Sequence, residues 1–404
     1  MSIPMALPAL SAQEQAHSER LVERIRGEIE RCHGWISFER FMEMVLYEPG
    51  LGYYSAGAVK LGTCGDFITA PEISSLFSRC LANQCSRIFE HLGGDDGPAG
   101  AGRSDAGILE LGAGSGVMAA DILLELAAQD RLPAHYDILE VSADLRERQR
   151  ATLAQRAPEM LARVRWLDRL PRGFRGVVLA NEVLDALPVQ RFRIRGGQVY
   201  ALGVTWQLGR LDGSEVLADT ALATAVRGIE AALGEPLPEG YCSEINLRLA
   251  PWIAGIGDAL EQGVVLCIDY GLPRRQFYRP ERGEGTLLCH FRQRYHDDPL
   301  VHVGLQDIGA WVDFTAVAEA AAAAGLEVAG FTTQAHFLIG NGLERLLAPR
   351  GEDEDLVARV QLSRQAMLLT LPGEMGERFK VIGLASNFSA PLQGFQVRDL
   401  SGSL

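Results

Sequence analysis

Short apolar runs alternate with segments of helical periodicity from residue 107 to the end of the chain. An apolar run that ends in glycine or in a polar pair is typical of a buried strand, and apolar residues three or four positions apart are typical of a helix. Their alternation favours a parallel sheet with helices on both faces. The pattern predicts strands at 108–112, 136–141, 163–167, 176–180, 263–269, 326–333 and 379–385, and helices at 117–129, 143–156 and 314–324.

The N-terminal part of the chain has a different pattern. Apolar positions at helical spacing extend over 13–46, and a further helix is predicted over 73–92. The stretch 93–107 consists almost entirely of glycine, aspartate and alanine, a composition typical of a linker. We therefore divide the chain into an N-terminal helical region, 1–105, and an α/β domain, 106–404.

Two long insertions follow the fourth and fifth predicted strands. The first, at about 183–262, contains two strand-like runs, 192–195 and 198–201, separated by a Gly-Gly pair that predicts a β-hairpin. The second insertion covers about 270–310. Compact domains rarely keep such long connections unless they serve as lids or binding surfaces, so both insertions are candidates for binding a substrate.

The first predicted strand of the α/β domain leads into a glycine-rich turn and then into a helix. Gly112, Gly114 and Gly116 stand at every second position. Such glycines allow the backbone to approach a ligand, and a helix N-terminus directs unpaired N–H groups toward it. The turn therefore predicts a nucleotide-cofactor site, and a tight strand-to-helix turn without a ligand is the structural alternative.

The spacing of these glycines and the acid before them distinguish between cofactors. Dinucleotide sites usually read G-x-G-x-x-G, whereas this chain reads G-x-G-x-G after Glu110. A carboxylate repels a pyrophosphate but attracts the sulfonium and ammonium groups of S-adenosylmethionine (SAM). We therefore expect SAM as the cofactor, and a nicotinamide oxidoreductase is the less favoured alternative.

The second predicted strand of the domain ends in an acid. Glu140 follows Gly116 by 24 positions, which is where a ribose-binding carboxylate is expected in a βαβ unit. We expect Glu140 to accept hydrogen bonds from the ribose hydroxyls, and a solvated carboxylate at a strand end is the alternative.

Polar residues also follow the fourth and fifth predicted strands. Asn181 and Glu182 come directly after the fourth strand, Asp185 lies three positions further on, and Asp269 ends the fifth strand. Open α/β sheets bind ligands at the carboxyl ends of their strands. Asn181 and Glu182 are therefore expected beside the sulfonium, with Asp185 on the same face. For each acid taken alone, a helix cap or a surface ion pair is the alternative.

Net charge, cysteine spacing and the length of apolar runs indicate which partners and which compartment to expect. The formal net charge of -14 and the pI near 5.1 argue against non-specific binding to nucleic acid or to anionic membranes. The seven cysteines are scattered without a C-x-x-C pair, as is typical of reduced thiols. No apolar run approaches the roughly 20 residues of a membrane span, and the N-terminus lacks the features of a signal peptide. We expect a soluble cytoplasmic protein without nucleic-acid or membrane partners, and a homodimer is left open.

Further motifs along the chain combine glycine or aromatic turns with acidic or amide residues. They are Gly52-Tyr53-Tyr54, the segment 65–72, the segment 110–116, Asn181-Glu182 with 185–188, Glu244-Ile245-Asn246, Asp269-Tyr270-Gly271, Gln306-Asp307 with 312–314, and Met375-Gly376 with Phe379-Lys380. In this order, the motifs resemble the MidA family of class I SAM-dependent methyltransferases. That family includes the mitochondrial complex I assembly factor that methylates an arginine of a complex I subunit.

The resemblance, which covers about 38–385, implies a fold and an activity. It implies a Rossmann-like sheet of seven strands, with an N-terminal helical segment that folds over the SAM site as a lid. It also implies a protein substrate, with an arginine side chain as the acceptor. Methyl transfer is an in-line displacement that requires no metal, so the protein supplies alignment, desolvation and charge placement. A SAM-binding assembly factor or chaperone without obligatory turnover is the alternative function.

The resemblance also assigns roles to particular residues. The segment 65–72 would close over the methionine end of SAM, with Thr69 and Pro71 beside the cofactor and Asp66 facing the acceptor. Carboxylates paired to two nitrogens of a guanidinium would hold an arginine bidentately. The residues expected to form this catalytic clamp are Asp66, Glu182 and Asp185, and the further substrate-binding candidates are Tyr54, Glu244, Asn246 and Asp269.

The chain departs from the family pattern in the second insertion. His290 and Gln293 stand where the family tends to carry a tyrosine and a histidine, and Gly309 stands where a threonine is usual. Because these positions lie in the expected substrate loop, the sequence indicates the cofactor more specifically than the substrate.

Overall fold

The computed structural model describes residues 7–56, 69–93, 105–348 and 356–404. These residues form two compact units, each drawn from three separate stretches of the chain. The first unit contains the described residues of Met1–Phe67, Asp185–Leu249 and Arg274–Trp311. The second unit contains those of Ile68–Leu184, Ala250–Pro273 and Val312–Leu404.

Strands and helices occur in both units and are numbered here along the chain. The described strands are β1 (Ile36–Ser37), β2 (Gly107–Leu111), β3 (Tyr136–Leu139), β4 (Val164–Leu167), β5 (Phe174–Asn181), β6 (Gln190–Arg195), β7 (Gln198–Gln207), β8 (Arg210–Leu217), β9 (Cys242–Ile245), β10 (Leu260–Leu272), β11 (Leu288–Phe291), β12 (Arg294–His296), β13 (Asp307–Gly309), β14 (Val312–Asp313), β15 (Glu327–Thr333) and β16 (Phe379–Ser386). The described α-helices are α1 (Ala12–Arg31), α2 (Phe38–Tyr47), α3 (Ala70–Ile73), α4 (Ser75–Leu92), α5 (Val117–Ala128), α6 (Ala143–Arg156), α7 (Thr220–Leu233), α8 (Leu249–Ala259), α9 (Arg274–Phe277), α10 (Phe314–Ala323), α11 (Gln334–Gly340), α12 (Leu343–Leu347), α13 (Leu356–Thr370) and α14 (Met375–Arg378).

The second unit is built on a mostly parallel sheet with the strand order β15-β16-β10-β5-β2-β3-β4. Strands β4, β3, β2, β5 and β10 run parallel, β16 is antiparallel to both of its neighbours, and β14 pairs with β10. Every residue of β2 is buried, as expected for a parallel strand that is covered on both faces. The predicted α/β class with a mostly parallel central sheet is confirmed, and the strands lie close to their predicted positions.

The core of the second unit includes side chains from neighbouring strands and from two helices. Ile108, Val177 and Leu266, on β2, β5 and β10, are fully buried and belong to one apolar cluster with Leu81 of α4 and Leu123 of α5. Burying a side chain of this size contributes about 1.5–3 kcal/mol. This packing fixes the strands whose carboxyl ends carry the candidate cofactor residues.

The first unit contains two antiparallel sheets. One has the order β1-β7-β6-β9 with β8 paired to β7, and the other has the order β12-β11-β13. The predicted hairpin is confirmed, because β6 and β7 pair in antiparallel register. Gly196 and Gly197 in their connection have φ angles of 56° and 70°, which suits the two-residue turns that join twisted strands.

Helices α1 and α2 account for the helical pattern predicted over 13–46, but a break separates them. Helix α1 begins with a capping box formed by Ser11 and Glu14. After it ends, His33 and Gly34 take positive φ angles, and the short strand β1 pairs with β7. The break redirects the chain, which the continuous apolar spacing did not indicate.

Each unit combines stretches that are distant in the chain, so the units differ from the predicted division at residue 105. Helix α4, which the sequence assigned to the N-terminal region, packs in the core of the second unit. Most of both insertions belongs to the first unit, which also holds α1 and α2. Most of the predicted linker, 93–107, lies outside the described residues, and the division at residue 105 stays a prediction. Among the described residues, none of the helices has the length and apolar composition that crossing a bilayer requires.

Candidate functional site

The glycine loop joins β2 to α5 in the second unit. Gly112, Gly114 and Gly116 have φ angles of 66°, 53° and 84°, a left-handed region that residues with a Cβ rarely adopt. A Cβ on Gly116 would also lie 3.0 Å from the Cα of Gln149 in α6. The alternating glycines in the sequence are therefore three positions at which the backbone conformation favours glycine.

Glu140 lies directly after β3 and is 5% exposed. Its Oε1 accepts a hydrogen bond from the backbone N–H of Ser142 at 2.9 Å, and its Oε2 accepts one from Nε2 of Gln149 at 3.1 Å. Burial raises the pKa of Glu140, and the two hydrogen bonds act in the opposite direction. The apolar residue that follows, Val141, is 80% exposed. The carboxylate is therefore held in a defined orientation at the carboxyl end of β3.

Gln149 links Glu140 to the glycine loop, and the sequence analysis did not identify it. Its Nε2 also donates a hydrogen bond to the carbonyl oxygen of Gly114 at 3.1 Å, and its Oε1 accepts one from Nε1 of Trp166 at 3.0 Å. Gln149 is fully buried on the face of α6 that is otherwise formed by leucine. The sequence signal for Gln149 is a polar residue within an otherwise apolar stripe of a predicted helix.

Glu110 is buried within β2. Its Oε2 accepts a hydrogen bond from the hydroxyl of Tyr136 at 2.7 Å. Burial raises the pKa of Glu110 to about 7, against the effect of the Tyr136 hydrogen bond and with a contribution from the charge of Glu140. The sequence analysis placed Glu110 beside the cofactor. In the structure its carboxylate is engaged by a buried tyrosine, and a cofactor contact stays a prediction.

Asn181 and Glu182 form the turn at the end of β5. Glu182 has a φ angle of 53°, which is uncommon for a residue other than glycine, and its N–H donates to the carbonyl of Ile268 at 2.8 Å. The Nδ2 of Asn181 lies 3.4 Å from Oε1 of Glu182. The Oδ1 of Asn181 is buried and has no hydrogen-bond partner among the described residues. Buried acceptors are normally satisfied, so this atom suits a donor from a ligand.

Asp269 of β10 supports this turn. Its side chain is fully buried. Its Oδ2 accepts a hydrogen bond from the N–H of Leu184, and its Oδ1 accepts one from the N–H of Tyr270, both at 2.9 Å. Asp269 therefore anchors the chain that follows Glu182, while the substrate-binding role expected from the sequence stays a prediction.

Helix α3 brings a further acid to the glycine loop. Glu72 accepts a hydrogen bond from the hydroxyl of Ser115, a residue between two of the loop glycines. The N–H of Ala70 lies 3.4 Å from Oε1 of Glu182. Helix α3, the glycine loop and the turn after β5 are thus joined by hydrogen bonds. Glu72 belongs to a motif that the sequence analysis singled out, but it was not among the predicted site residues.

The structure describes two of the three predicted site residues in the segment 65–72. Thr69 is the N-cap residue of α3, and its side chain makes no capping hydrogen bond. Pro71 is buried in the first turn of that helix. Asp66, predicted as a catalytic residue, lies outside the described residues.

Tyr54 and Asp185 belong to an acidic and aromatic cluster in the first unit. The hydroxyl of Tyr54 donates to Oδ1 of Asp307 at 2.9 Å, and its ring stacks on Tyr47 with 5.5 Å between centroids. Asp185 and Asp307 are both buried. Burial and then the charge of Asp307 raise the pKa of Tyr54 well above its ordinary value, and Asp185 adds to this. Carboxylates and aromatic rings are the groups that bind a guanidinium.

Two of the departures from the family pattern lie close to this cluster in the fold. His290 of β11 pairs in register with Asp307 of β13. Gln293 lies in the two-residue turn between β11 and β12, where Arg292 and Gln293 have φ angles of 48° and 60°. Asp307, which the sequence analysis did not include among the site residues, is therefore next to the position at which this chain differs.

Glu244 and Asn246, predicted to bind substrate, have internal partners in the first unit. The buried Glu244 accepts hydrogen bonds from Nε of Arg191 at 3.0 Å, from the N–H of Thr286 at 2.6 Å and from the hydroxyl of Thr286 at 3.0 Å. The side-chain oxygen of Asn246 accepts a hydrogen bond from the N–H of Arg248 at 3.0 Å. Their contacts organise the loops of the first unit, and their substrate-binding roles stay predictions.

The residues of the second unit fit a nucleoside cofactor that carries a cationic amino-acid group. The left-handed glycines leave three of the five loop positions without side chains. Glu140 offers an oriented acceptor at the next strand end, and Asn181 offers an acceptor that has no partner among the described residues. A parallel sheet with these residues at the carboxyl ends of its strands is the arrangement of a nucleotide-binding α/β fold. Together the fold and the site define a Rossmann-like methyltransferase of class I.

Comparison with known proteins gives the family. The family described as "Putative S-adenosyl-L-methionine-dependent methyltransferase" matches residues 80–332, and the chain belongs to it. A Burkholderia thailandensis protein described as a "likely methyl transferase", crystallised with S-adenosyl-homocysteine, is 38% identical and superposes with a TM-score of 0.91 over 99% of this chain and 100% of that chain. The protein is a SAM-dependent methyltransferase.

Curated relatives extend the comparison to eukaryotes. The Drosophila melanogaster homolog of the mitochondrial protein arginine methyltransferase NDUFAF7 is 28% identical over 95% of this chain and 89% of its own length. The Homo sapiens protein of that name is 28% identical over 87% of this chain and 80% of its own length. The resemblance to MidA-like methyltransferases and the prediction of SAM as the cofactor are confirmed.

The prediction of a cytoplasmic protein is wrong by the same comparison, because these relatives are mitochondrial proteins. The prediction was based on cysteines typical of reduced thiols and on the lack of an apolar run long enough to span a membrane. These properties describe a reducing aqueous environment, and more than one compartment provides such an environment.

Proposed function

We propose that this enzyme transfers the methyl group of SAM to an arginine side chain of a protein. The observation that carries the proposal is the similarity to proteins named protein arginine methyltransferases, at 28% identity over 80–89% of their length. The net charge of -14 supports a basic acceptor, because an acidic protein attracts a cationic partner. The acidic and aromatic cluster around Tyr54 supports the same acceptor chemistry.

The proposed cofactor site is built from the polar ends of the parallel strands. Glu140 accepts hydrogen bonds from the ribose hydroxyls, and the three glycines of the loop allow the nucleoside to approach the backbone. Val141, which is 80% exposed, offers an apolar surface for the adenine. The Oδ1 of Asn181, which has no partner within the described part of the chain, accepts a hydrogen bond from the ammonium of the methionine group. Further cofactor contacts are proposed for Thr69, Pro71, Glu110 and Glu182.

In the proposed mechanism, the carboxylates bind and orient the acceptor. SAM supplies a methyl group activated by its sulfonium. A guanidinium has a pKa above 12 and stays protonated before transfer, so Glu182, Asp185 and Asp66 hold its N–H groups and concentrate the positive charge away from the attacking nitrogen. A carboxylate of this set then receives the proton that leaves the methylated nitrogen. Tyr54, whose hydroxyl donates to Asp307, is proposed to bind the substrate.

The test is methyl transfer from tritiated SAM by the purified protein to a lysate of its own host. The account predicts a labelled protein band that yields methylarginine on acid hydrolysis. Binding of S-adenosyl-homocysteine without any labelled protein would contradict the proposed activity and favour a SAM-binding assembly factor. A label on another residue type would retain the methyltransferase and reject arginine as the acceptor.

One substitution tests the proposed clamp. Asp66→Asn should abolish turnover, because one oxygen of the clamp becomes an amide donor, while the affinity for S-adenosyl-homocysteine stays within about twofold. Asp258→Asn is the matched control, since Asp258 is exposed on α8. Unchanged turnover in the Asp66 variant would remove this residue from the clamp.

A further inference from the structure

We propose that Gln149 is a positioning residue of the cofactor site, which holds the carboxylate of Glu140 and the carbonyl of Gly114 in the arrangement that receives the ribose. The inference rests on the proposed role of Glu140 in binding the ribose hydroxyls. It concerns a side chain that lies one layer behind the proposed ligand contacts and that is fully buried.

The hydrogen bonds of Gln149 determine the orientation of its amide. Trp166 Nε1 is a donor only, so the atom 3.0 Å from it is the oxygen Oε1. The two protons of Nε2 are then directed to two acceptors, the carbonyl of Gly114 and Oε2 of Glu140, each at 3.1 Å. The amide uses both of its donors and its acceptor is engaged, so rotation about its terminal bond would break all three interactions.

The helix that carries Gln149 is itself fixed against the site. The Cα of Gln149 would lie 3.0 Å from a Cβ on Gly116, so the backbone of α6 directly adjoins the third glycine. The guanidinium of Arg146 donates to the carbonyl of Glu140 at 2.6 Å and to the carbonyl of Leu167 at 2.7 Å. Helix α6 is therefore joined to the ends of β3 and β4, and Gln149 acts from a rigid support.

The charged groups near Glu140 determine what Gln149 contributes electrostatically. Glu110 on β2 disfavours a second negative charge, and Arg146 on α6 favours the ionised form. Tyr136 on β3 donates its hydroxyl to Glu110. Gln149 and the N–H of Ser142 donate directly to the carboxylate of Glu140, and donors to the charged form stabilise it. An ionised Glu140 can accept from both ribose hydroxyls, whereas the protonated acid loses one acceptor.

The test is the affinity for S-adenosyl-homocysteine, measured by titration calorimetry between about pH 5 and pH 8. In the unaltered protein, affinity falls as the pH drops through the pKa of Glu140. Gln149→Leu removes one donor to the carboxylate, so the midpoint of that fall should move up by about one pH unit, and the affinity below both midpoints should drop about tenfold. The same series in a Glu110→Gln background removes the titration of Glu110.

Two controls separate positioning from general packing. Gln155→Leu makes the same substitution at an exposed position of α6 and should leave the midpoint in place. Leu153→Ala removes buried apolar contacts of the same helix, so it should lower the thermal stability without moving the midpoint.

A second variant, Gln149→Glu, tests the proposal if the Gln149→Leu protein does not fold. Gln149→Glu keeps the size of the side chain and an acceptor for Trp166. At low pH its carboxyl is protonated and can donate to Glu140, and as the pH rises it ionises and repels Glu140. Affinity for S-adenosyl-homocysteine should therefore fall again at the higher pH at which both carboxyls ionise, whereas the unaltered protein keeps its full affinity there.

Glu140→Gln distinguishes failure of this inference from failure of the proposed function. If Glu140→Gln binds S-adenosyl-homocysteine as tightly as the unaltered protein, Glu140 does not bind the ribose and the proposed cofactor site is wrong. If Glu140→Gln weakens binding but the Gln149 variants keep the unaltered pH profile, the cofactor site stands and the positioning role of Gln149 is rejected.

Discussion

The glycine loop of the second unit and the Glu244 region of the first unit both contain motifs that the sequence analysis assigned to ligand binding. In the glycine loop, the three glycines take left-handed conformations, and the acceptor of Asn181 nearby along the sheet edge has no partner among the described residues. In the other region, the carboxylate of Glu244 accepts three hydrogen bonds from Arg191 and Thr286.

These two regions show which kind of motif can be interpreted without a structure. A glycine pattern reports a requirement of the backbone, and that requirement is local. An acid in a motif reports only that a carboxylate is needed, and the partner that needs it can be a ligand or another part of the protein. Glu244 is of the second kind, because its partners lie far from it in sequence.

The largest expected effect comes from Glu244→Ala. Removing the carboxylate leaves Arg191 and Thr286 without their buried acceptor, so the free energy of unfolding should fall by about 3–5 kcal/mol, as measured by urea denaturation. Glu235→Ala, at an exposed position, should change it by less than about 0.5 kcal/mol. A Glu244 variant that keeps its stability and loses methyl transfer would show that this acid serves the substrate.

Glu110 should make the stability of the folded protein depend on pH, with an effect of intermediate size. Its pKa is about 7 in the folded protein against an ordinary value of 4.5, so the folded state binds more protons than the unfolded state between these values. Stability therefore declines as the pH rises from about 4.5 to about 7, by roughly 3 kcal/mol. Glu110→Gln should flatten this decline in chemical denaturation at several pH values.

The Glu110 prediction fails if the variant and the unaltered protein keep parallel stability curves over this range. Glu140, whose pKa is also raised by burial, contributes a decline of the same sign and is present in both proteins. The difference between the two curves therefore reports Glu110 together with its charge coupling to Glu140.

The smallest effect on stability, and the most specific one for the cofactor, is expected for Gly116→Ala. Gly116 and Gly197 both have left-handed φ angles, 84° and 70°, so alanine at either position should cost about 1–2 kcal/mol of stability. Only at Gly116 does the new Cβ meet a neighbour, at 3.0 Å, whereas none lies within 4 Å of Gly197. Gly116→Ala should therefore weaken binding of S-adenosyl-homocysteine by tenfold or more, and Gly197→Ala should not.

Equal binding by the two glycine variants would contradict this reading of the loop. It would mean that the conformation of the loop glycines reflects the turn alone, which is the structural alternative that the sequence left open.

The sequence predicted the central sheet well because its signals are local. The strands of the second unit are apolar runs that end in glycine or polar residues, and the hairpin of β6 and β7 is marked by Gly196-Gly197. The grouping of chain segments into units was harder to predict. It depends on packing between distant stretches, such as α4 with the core around Ile108, which periodicity does not report.

The candidate site was predicted in part for the same reason. Glu140 and the glycines follow from strand ends and spacing. Gln149, Glu72 and Asp307 were missed, because each takes part through a side-chain partner 9, 43 or 253 positions away. Glu72 and Asp307 lie in motifs that the sequence shows, and Gln149 is marked by a polar residue within an apolar stripe.

We propose that the cofactor lies over the glycine loop with its ribose on Glu140. A crystal structure of the protein with S-adenosyl-homocysteine would test this placement. The account predicts one nucleoside above Gly112, Gly114 and Gly116, with both ribose hydroxyls within hydrogen-bond distance of the Glu140 carboxylate and the amino group close to Asn181. A ligand bound elsewhere, or a ribose that makes no contact with Glu140, would contradict it.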